Sequence, residues 1–356
     1  MAEICAPPFG RVRATMTEQH TKSAMSREIA QIPAAVTNLL AKTDLFGSIA
    51  ERIRQSKPRS VVFCGRGSSG HIGVYLRYLF ETRLGLLASA AAPSVMTAYR
   101  RSPDLRDVLF VVISQSGRSP DLVGATQVAR ESGALTLGIV NCEDSPAAAA
   151  TELILPIGAG PEHAVAATKT VALSMSAGAQ LVAILARDVA LTEGLRRLSP
   201  RCSAALACDW SVWAETVARA PAAFVVGRGY GLGSVREIAL KASEVLQVPA
   251  LGYSAAELKH GPRAAVTATT PVLAIRQNDE SAIAVDDLVR DLEEAGGRVF
   301  TVGGSAGNLP WIGDGHPVCD PITMLIPAYL AIEGAAVSRG LNPDSPPHLT
   351  KVTHTL

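Results

Sequence analysis

Ser60-Val61-Val62-Phe63-Cys64 is a short apolar run that ends in Gly65-Arg66-Gly67-Ser68-Ser69-Gly70, after which Tyr75, Leu76, Leu79 and Phe80 recur at helical spacing. This order predicts strand, glycine-serine turn, helix. It returns at residues 108–113, which run into Ser114-Gln115-Ser116-Gly117, and again at 136–140, followed by Asn141. Three strands alternating with helices predict a parallel sheet covered on both faces. Farther along, Phe224-Val225-Val226 leads into Gly227-Arg228-Gly229-Tyr230-Gly231 and a long helix through Ile238, Leu240 and Val245. Residues 272–275 and 298–302 supply two more strands. Cys64-Gly65-Arg66-Gly67 set against Val226-Gly227-Arg228-Gly229 reads as an internal repeat of about 160 residues. The predicted fold class is α/β: two tandem, doubly wound parallel sheets in three-layer αβα arrangements, related by duplication.

The chain has 356 residues, too many for one hydrophobic core of ordinary size, so two units agree with the repeat. Residues 1–24 are expected to be a flexible extension, because they mix Pro7-Pro8, Gly10 and basic residues without periodicity. A helical lead-in follows, with Ile29, Ile32, Val36, Leu39 and Leu40 at helical spacing and an interruption at Pro33. Lead-in and first unit are assigned to 25–200; the second unit, after the charged stretch 193–201, is assigned to 201–345, and a tail to 346–356.

A formal net charge of +1 and the lack of a Lys/Arg run give no footprint for nucleic acid. Cys5, Cys64, Cys142, Cys202, Cys208 and Cys319 are scattered with no C-x-x-C pair, so neither a zinc site nor a disulfide framework is expected and a reducing cytoplasm fits. The apolar stretch 170–186 carries Ser174, Ser176 and Gln180 between Lys169 and Arg187-Asp188. Its length is marginal for a membrane span and its small residues suit close helix packing, so a buried core helix is expected and no membrane partner. Residues 1–15 lack the apolar core of a secretory signal.

Hydroxyls and backbone N–H groups at the carboxyl end of a parallel strand suit an anion, and the helix dipole adds to this. Ser114-Gln115-Ser116-Gly117-Arg118-Ser119 offers three hydroxyls, an amide and a guanidinium in six residues. It reads as a phosphate-binding turn or as an ordinary strand-helix turn. The Gly65–Gly70 turn lacks the Lys-Ser/Thr of a P-loop, and although Gly65, Gly67 and Gly70 meet the dinucleotide spacing, no acidic residue clearly ends the next strand. Lys241 and Glu244 share one helix face, as a surface ion pair also would. His260 precedes Gly261-Pro262 and so belongs to a loop, where an exposed imidazole needs no function.

Taken in order, Ser114-Gln115-Ser116-Gly117, residues 162–169 (EHAVAATK), Ala239-Leu240-Lys241-Ala242-Ser243-Glu244, Glu257-Leu258-Lys259-His260-Gly261-Pro262 and Pro347-His348-Leu349-Thr350-Lys351 resemble the isomerase half of glucosamine-6-phosphate synthase, built from two SIS (sugar isomerase) domains. The resemblance covers residue 25 to the carboxyl terminus. Only some two dozen residues precede it, where the synthase has a glutaminase domain, so glutamine hydrolysis is not expected of this chain. Arg66-Gly67-Ser68-Ser69 and His348-Leu349-Thr350-Lys351-Val352-Thr353 resemble the stand-alone deaminase branch. Arg118 and Ser119 depart from the synthase, which has an acidic residue and Thr there.

The resemblance implies a glucosamine-6-phosphate deaminase that makes fructose 6-phosphate and ammonia without metal or cofactor. Galactosamine-6-phosphate deamination, plain aldose–ketose isomerisation and sugar-phosphate sensing by a non-enzyme are the alternatives. Ser114, Gln115, Ser116 and Ser119 would hold the phosphate with Ser69, while Ser68 and the Val165 backbone would face the sugar. Glu244 would be the acid/base with Lys241 beside it, His260 would open the ring, and Lys351 in the tail would close over the sugar. In this family the histidine comes from the neighbouring subunit, which implies a homodimer with a shared active site.

Overall fold

The structure, a computed structural model, describes residues 22–313 and 315–351; residues 1–21 of the expected extension and 352–356 of the tail fall outside it. Five strands form the first sheet: β1 (Ser60–Cys64), β2 (Leu87–Ala90), β3 (Val108–Ser114), β4 (Leu135–Val140) and β5 (Leu153–Pro156). The second contains β6 (Ala223–Gly227), β7 (Ala250–Ser254), β8 (Val272–Ile275) and β9 (Val299–Val302). Their orders are β2-β1-β3-β4-β5 and β7-β6-β8-β9, with every pairing parallel. The two orders match strand for strand up to β5, and a single parallel bridge from Val302 to Leu309 stands in the place β5 would take.

Register carries the duplication further. Cys64 pairs with Val112 in the first sheet, and Val226 with Ala274 in the second. In each sheet the strand order reverses between β1 and β3 or between β6 and β8. That switch point opens a crevice at the strands' carboxyl ends.

The six strands read from the sequence are present; β2, β5 and β7 are additional, and all three lie at sheet edges. An edge strand has one open side, so it needs no continuous apolar run: β2 buries only Ala88, and β7 buries none of its residues fully. The lead-in divides as Pro33 required, into helices Ala24–Ala30 and Ile32–Leu40, with Ile29, Ile32, Val36 and Leu39 turned into the core. The charged stretch 193–201 is itself folded into helices Val189–Arg196 and Leu198–Ala205, and Arg201 is buried against Asp320 at 2.6 Å.

Helix Ser68–Leu84 follows β1, helix Leu232–Val245 follows β6, and the two pack on each other. Gly233 permits that crossing, because a Cβ there would come within 2.7 Å of the Tyr75 Cβ and 2.8 Å of the His71 carbonyl. Helix Lys169–Ala186 packs on the same Ser68–Leu84 helix and is largely buried. It and Asp320–Ser338 are the described helices long and apolar enough to cross a membrane, and both are mostly covered by protein.

Candidate active site

Ser114 ends β3 and is buried, and its Oγ accepts the Gly117 N–H at 3.0 Å. Ser116 Oγ accepts the Arg118 N–H at 3.3 Å. Both hydroxyls therefore spend a lone pair on the turn and keep their own proton for another acceptor. Gly117 holds the turn at φ +63°, a left-handed conformation, and a Cβ there would stand 2.1 Å from Ser145 Oγ. Ser119 occupies the N-cap of helix Pro120–Glu131 without using its hydroxyl there, and Gln115 is half-buried beside it. A short β-strand thus delivers a compact set of donors to a helix N-terminus, an arrangement suited to an anion.

The β1 turn is tied to this one by Arg66, whose Nε lies 2.8 Å from the buried carboxylate of Asp121. Ser69, half-buried in the first turn of helix Ser68–Leu84, has no side-chain partner among the described residues. Ser68 faces the other way, into a buried polar relay. Its Oγ donates to Glu237 Oε1 and accepts from Lys241 Nζ, both at 3.0 Å. Lys241 also lies 3.0 Å from Glu237 and 2.7 Å from Glu244. His71 Nδ1 sits 3.0 Å from Glu237 Oε2, and the Tyr329 hydroxyl donates to Oε1 at 3.3 Å.

Lys241 and Glu237 are fully buried, whereas the Glu244 side chain is 22% exposed. Lys241 is consequently not a surface ion-pair partner. Burial presses its amine toward neutrality, but the carboxylates of Glu237 and Glu244 more than offset this and hold the ammonium above the usual lysine range. Burial likewise presses Glu237 upward, and Lys241 together with the His71 hydrogen bond brings it below the usual carboxylate range. Burial, and then the charge and hydrogen bond of Glu237, hold the Tyr329 phenol well above its usual range, with the more distant charges of Glu162 and Glu244 adding to this.

Glu162 caps the helix Lys169–Ala186: Oε1 accepts the N–H groups of Thr168 and Thr170 at 3.1 and 3.0 Å, and Oε2 accepts the Thr170 hydroxyl at 2.8 Å. Lys351 reaches this cap from the tail, donating to Glu162 Oε2 at 3.1 Å and to the Ala164 carbonyl at 2.6 Å. Val165 is half-buried, and its N–H already donates to the Asp344 carbonyl at 2.9 Å, so that group is closed to a sugar. Glu28 supports the same loop by accepting the N–H groups of His163 and Ala164.

The structure joins Ser68, Lys241 and Glu244, places Ser69 and the Ser114–Ser119 turn on the adjoining strand ends, and brings Lys351 to Glu162. It does not join His260 to them. His260 is exposed at the end of helix Ala255–Lys259, and its side chain has no hydrogen-bond partner among the described residues. Sequence reading missed Glu237, His71, Tyr329 and Glu28. Glu237 was within reach, since it stands four residues before Lys241 on the same helix face; the others meet it only through tertiary packing. Among the described residues no three His, Cys, Asp or Glu side chains gather as a metal-binding group.

The SIS domain matches this chain over residues 53–184 and 217–308, one segment on each sheet. A glutamine–fructose-6-phosphate aminotransferase (isomerizing) of Methanothermobacter thermautotrophicus is 32% identical over 343 residues, covering 92% of this chain and 56% of that protein. The chain thus spans little more than half of that relative. Among solved structures, a candidate phosphosugar isomerase from Silicibacter pomeroyi DSS-3 is 35% identical with a TM-score of 0.87, covering 91% of this chain and all of the other. A glucosamine-6-phosphate deaminase from Thermotoga maritima shares the fold at a TM-score of 0.76 and 24% identity, over 94% of this chain and all of the other. With both sheets matched, the chain belongs to the SIS domain family, and it resembles the isomerase half of the aminotransferases.

Proposed function

We propose that this chain is a glucosamine-6-phosphate deaminase. The observation that carries the reading is a partly exposed carboxylate, Glu244, held by a wholly buried ammonium, Lys241, beside strand-end turns that present free hydroxyl protons. A pure binding module has no need of such an acid/base arrangement.

In the proposed reaction the Ser114, Gln115, Ser116 and Ser119 turn, aided by Ser69, anchors the phosphate and fixes the distant carbons. His260 moves a proton between the ring oxygen and the anomeric hydroxyl, opening the ring. Glu244 then takes the proton from the carbon bearing nitrogen and returns it to the former aldehyde carbon. The amine gives up one proton and the aldehyde oxygen gains one, so aldose-amine becomes ketose-imine. Water adds to the imine and ammonia leaves, giving fructose 6-phosphate by proton transfers and hydrolysis alone. Lys241 is too deeply buried to meet the sugar and acts through Glu244. Lys351 and the tail close over the sugar from the Glu162 side, and Ser68 fixes the relay beneath. Because His260 is exposed and apart from Glu244, the proposed assembly is a homodimer in which each copy supplies His260 to the other's site.

Ammonia release tests the reading. Glucosamine 6-phosphate is expected to yield ammonia and fructose 6-phosphate, while its N-acetyl analogue, whose acylated nitrogen is a poor participant in imine chemistry, yields none. Faster release from galactosamine 6-phosphate would reassign the epimer. Interconversion of aldose and ketose phosphates without ammonia release from either hexosamine would leave a plain isomerase instead.

A further inference from the structure

Each sheet has its own switch point, but the two are furnished differently. Stepping forward from the matched pairs Cys64↔Val112 and Val226↔Ala274 sets Arg66 against Arg228, Gln115 against Gln277, Gly117 against Asp279 and Ser119 against Ser281. In the first sheet Arg66 is neutralised by Asp121; the position in step with Asp121 is Ile283, which is 71% exposed. Arg228 has no ion-pair or hydrogen-bond partner for its side chain among the described residues. The carboxamide of Gln277, 1% exposed, lies against Gly231 with neither its nitrogen nor its oxygen hydrogen-bonded.

A cavity of about 390 Å³ opens at this second switch point, lined by Arg228, Tyr230, Ser254 and Asp279 from the second unit and by Tyr78 from helix Ser68–Leu84. That volume suits a small molecule, for which pockets run from roughly 300 to 1,000 Å³. Its chemistry is opposed to the first site's. Where the first turn has Gly117, the second has Asp279, a carboxylate two residues before the N-cap Ser281, its Oδ1 accepting both the N–H of Ser281 at 2.9 Å and its hydroxyl at 2.6 Å. Glu257 and Glu280 add two more carboxylates to the lining. A phosphate would meet the three carboxylates of Asp279, Glu257 and Glu280 against the single guanidinium of Arg228. An ammonium group would find carboxylates, and sugar hydroxyls would find both the Arg228 donors and carboxylate acceptors, with tyrosine rings to cover an apolar sugar face.

We propose that the cavity at the second switch point is a ligand site distinct from the phosphate-anchored one, built for an amine-bearing sugar without a phosphate. The pocket does not depend on the deaminase reading. Glucosamine is the probe, titrated into the full-length protein by calorimetry and ligand-observed NMR, with glucose and inorganic phosphate beside it. Glucosamine is expected to bind more tightly than glucose. Asp279→Asn combined with Glu280→Gln weakens it at least tenfold, and Ser116→Ala leaves it unchanged, because the probe has no phosphate for the serine turn. Arg228→Gln, which keeps Asp279 ahead of the N-cap, serves as a second variant if the double one melts early, and is expected to weaken glucosamine too. Glucosamine binding that is unchanged in both the double variant and Arg228→Gln overturns the proposal, as does no binding, or phosphate binding that falls with Arg228→Gln. Turnover of glucosamine 6-phosphate by the double variant is read in parallel: its presence or absence speaks to the deaminase reading and leaves the binding result standing.

Discussion

Glu244 keeps part of its side chain in contact with solvent while Lys241, 2.7 Å away, has none. On a bare helix the two residues would be an exposed pair worth less than about 1 kcal/mol, and neutralising the carboxylate would leave turnover alone. Here the helices around Lys241 have removed it from water and surrounded it with Glu237, Ser68 and Glu244. Glu244→Gln preserves volume and helix compatibility but removes the base. Under the proposed reaction kcat falls on the order of 10²- to 10⁴-fold with a modest change in KM. Steady-state ammonia release from the purified variant checks this, and parental turnover in a well-folded Glu244→Gln protein would exclude the acid/base role. The sequence allowed either reading of this pair, because spacing along a helix places two residues on one face without saying what covers that face.

At the scale of elements, the inner strands β1, β3, β4, β6 and β8 were legible because sheets buried on both faces require near-continuous apolar runs. The edges β2, β5 and β7 were not, since Leu87 and Leu251 can stand exposed there and the pattern that marks a strand dissolves. Helix Asp320–Ser338 escaped for the opposite reason: it is apolar nearly all round and carries Pro327, so no single face stands out. The serine turn was legible as a set of donors, and its backbone shape follows from Gly117. A Cβ at that position would collide with Ser145, which caps helix Pro146–Ala149. Ser116→Ala removes one charge-assisted hydrogen bond and is expected to raise KM for the sugar phosphate about tenfold with kcat little changed. Gly117→Ala forces the turn itself to move and is expected to raise KM further and lower stability by about 1–3 kcal/mol. Kinetics and thermal melts on the pair separate lost chemistry from lost shape, and an unchanged KM in both would place the phosphate elsewhere.

For the whole molecule, duplication explains why one chain carries two switch points, and packing between helices Ser68–Leu84 and Leu232–Val245 explains why the relay spans both units: Ser68 and His71 come from one, Glu237, Lys241 and Glu244 from the other. The relay was invisible to a reading made unit by unit. His260 remains outside it, exposed and without a side-chain partner among the described residues, although its motif stands in line with the others. Two arrangements can reconcile these facts. Either His260 has no part in the site, or it completes the site of a second copy, as a twofold assembly would allow. Mixing two inactive variants distinguishes them. In a dimer of one Glu244→Gln chain and one His260→Ala chain, the second chain keeps Glu244 and receives His260 from the first, so one site of the two is whole. Random reassortment makes half of the dimers mixed, and activity is expected to recover to about a quarter of the parent's. If His260 served its own chain's Glu244, every site in the mixture would lack one group and activity would stay at the level of the separate variants. If His260→Ala alone kept parental turnover, the imidazole would have no place in ring opening, and the half-buried His71 at the edge of the relay would be the remaining described histidine in contact with this cluster.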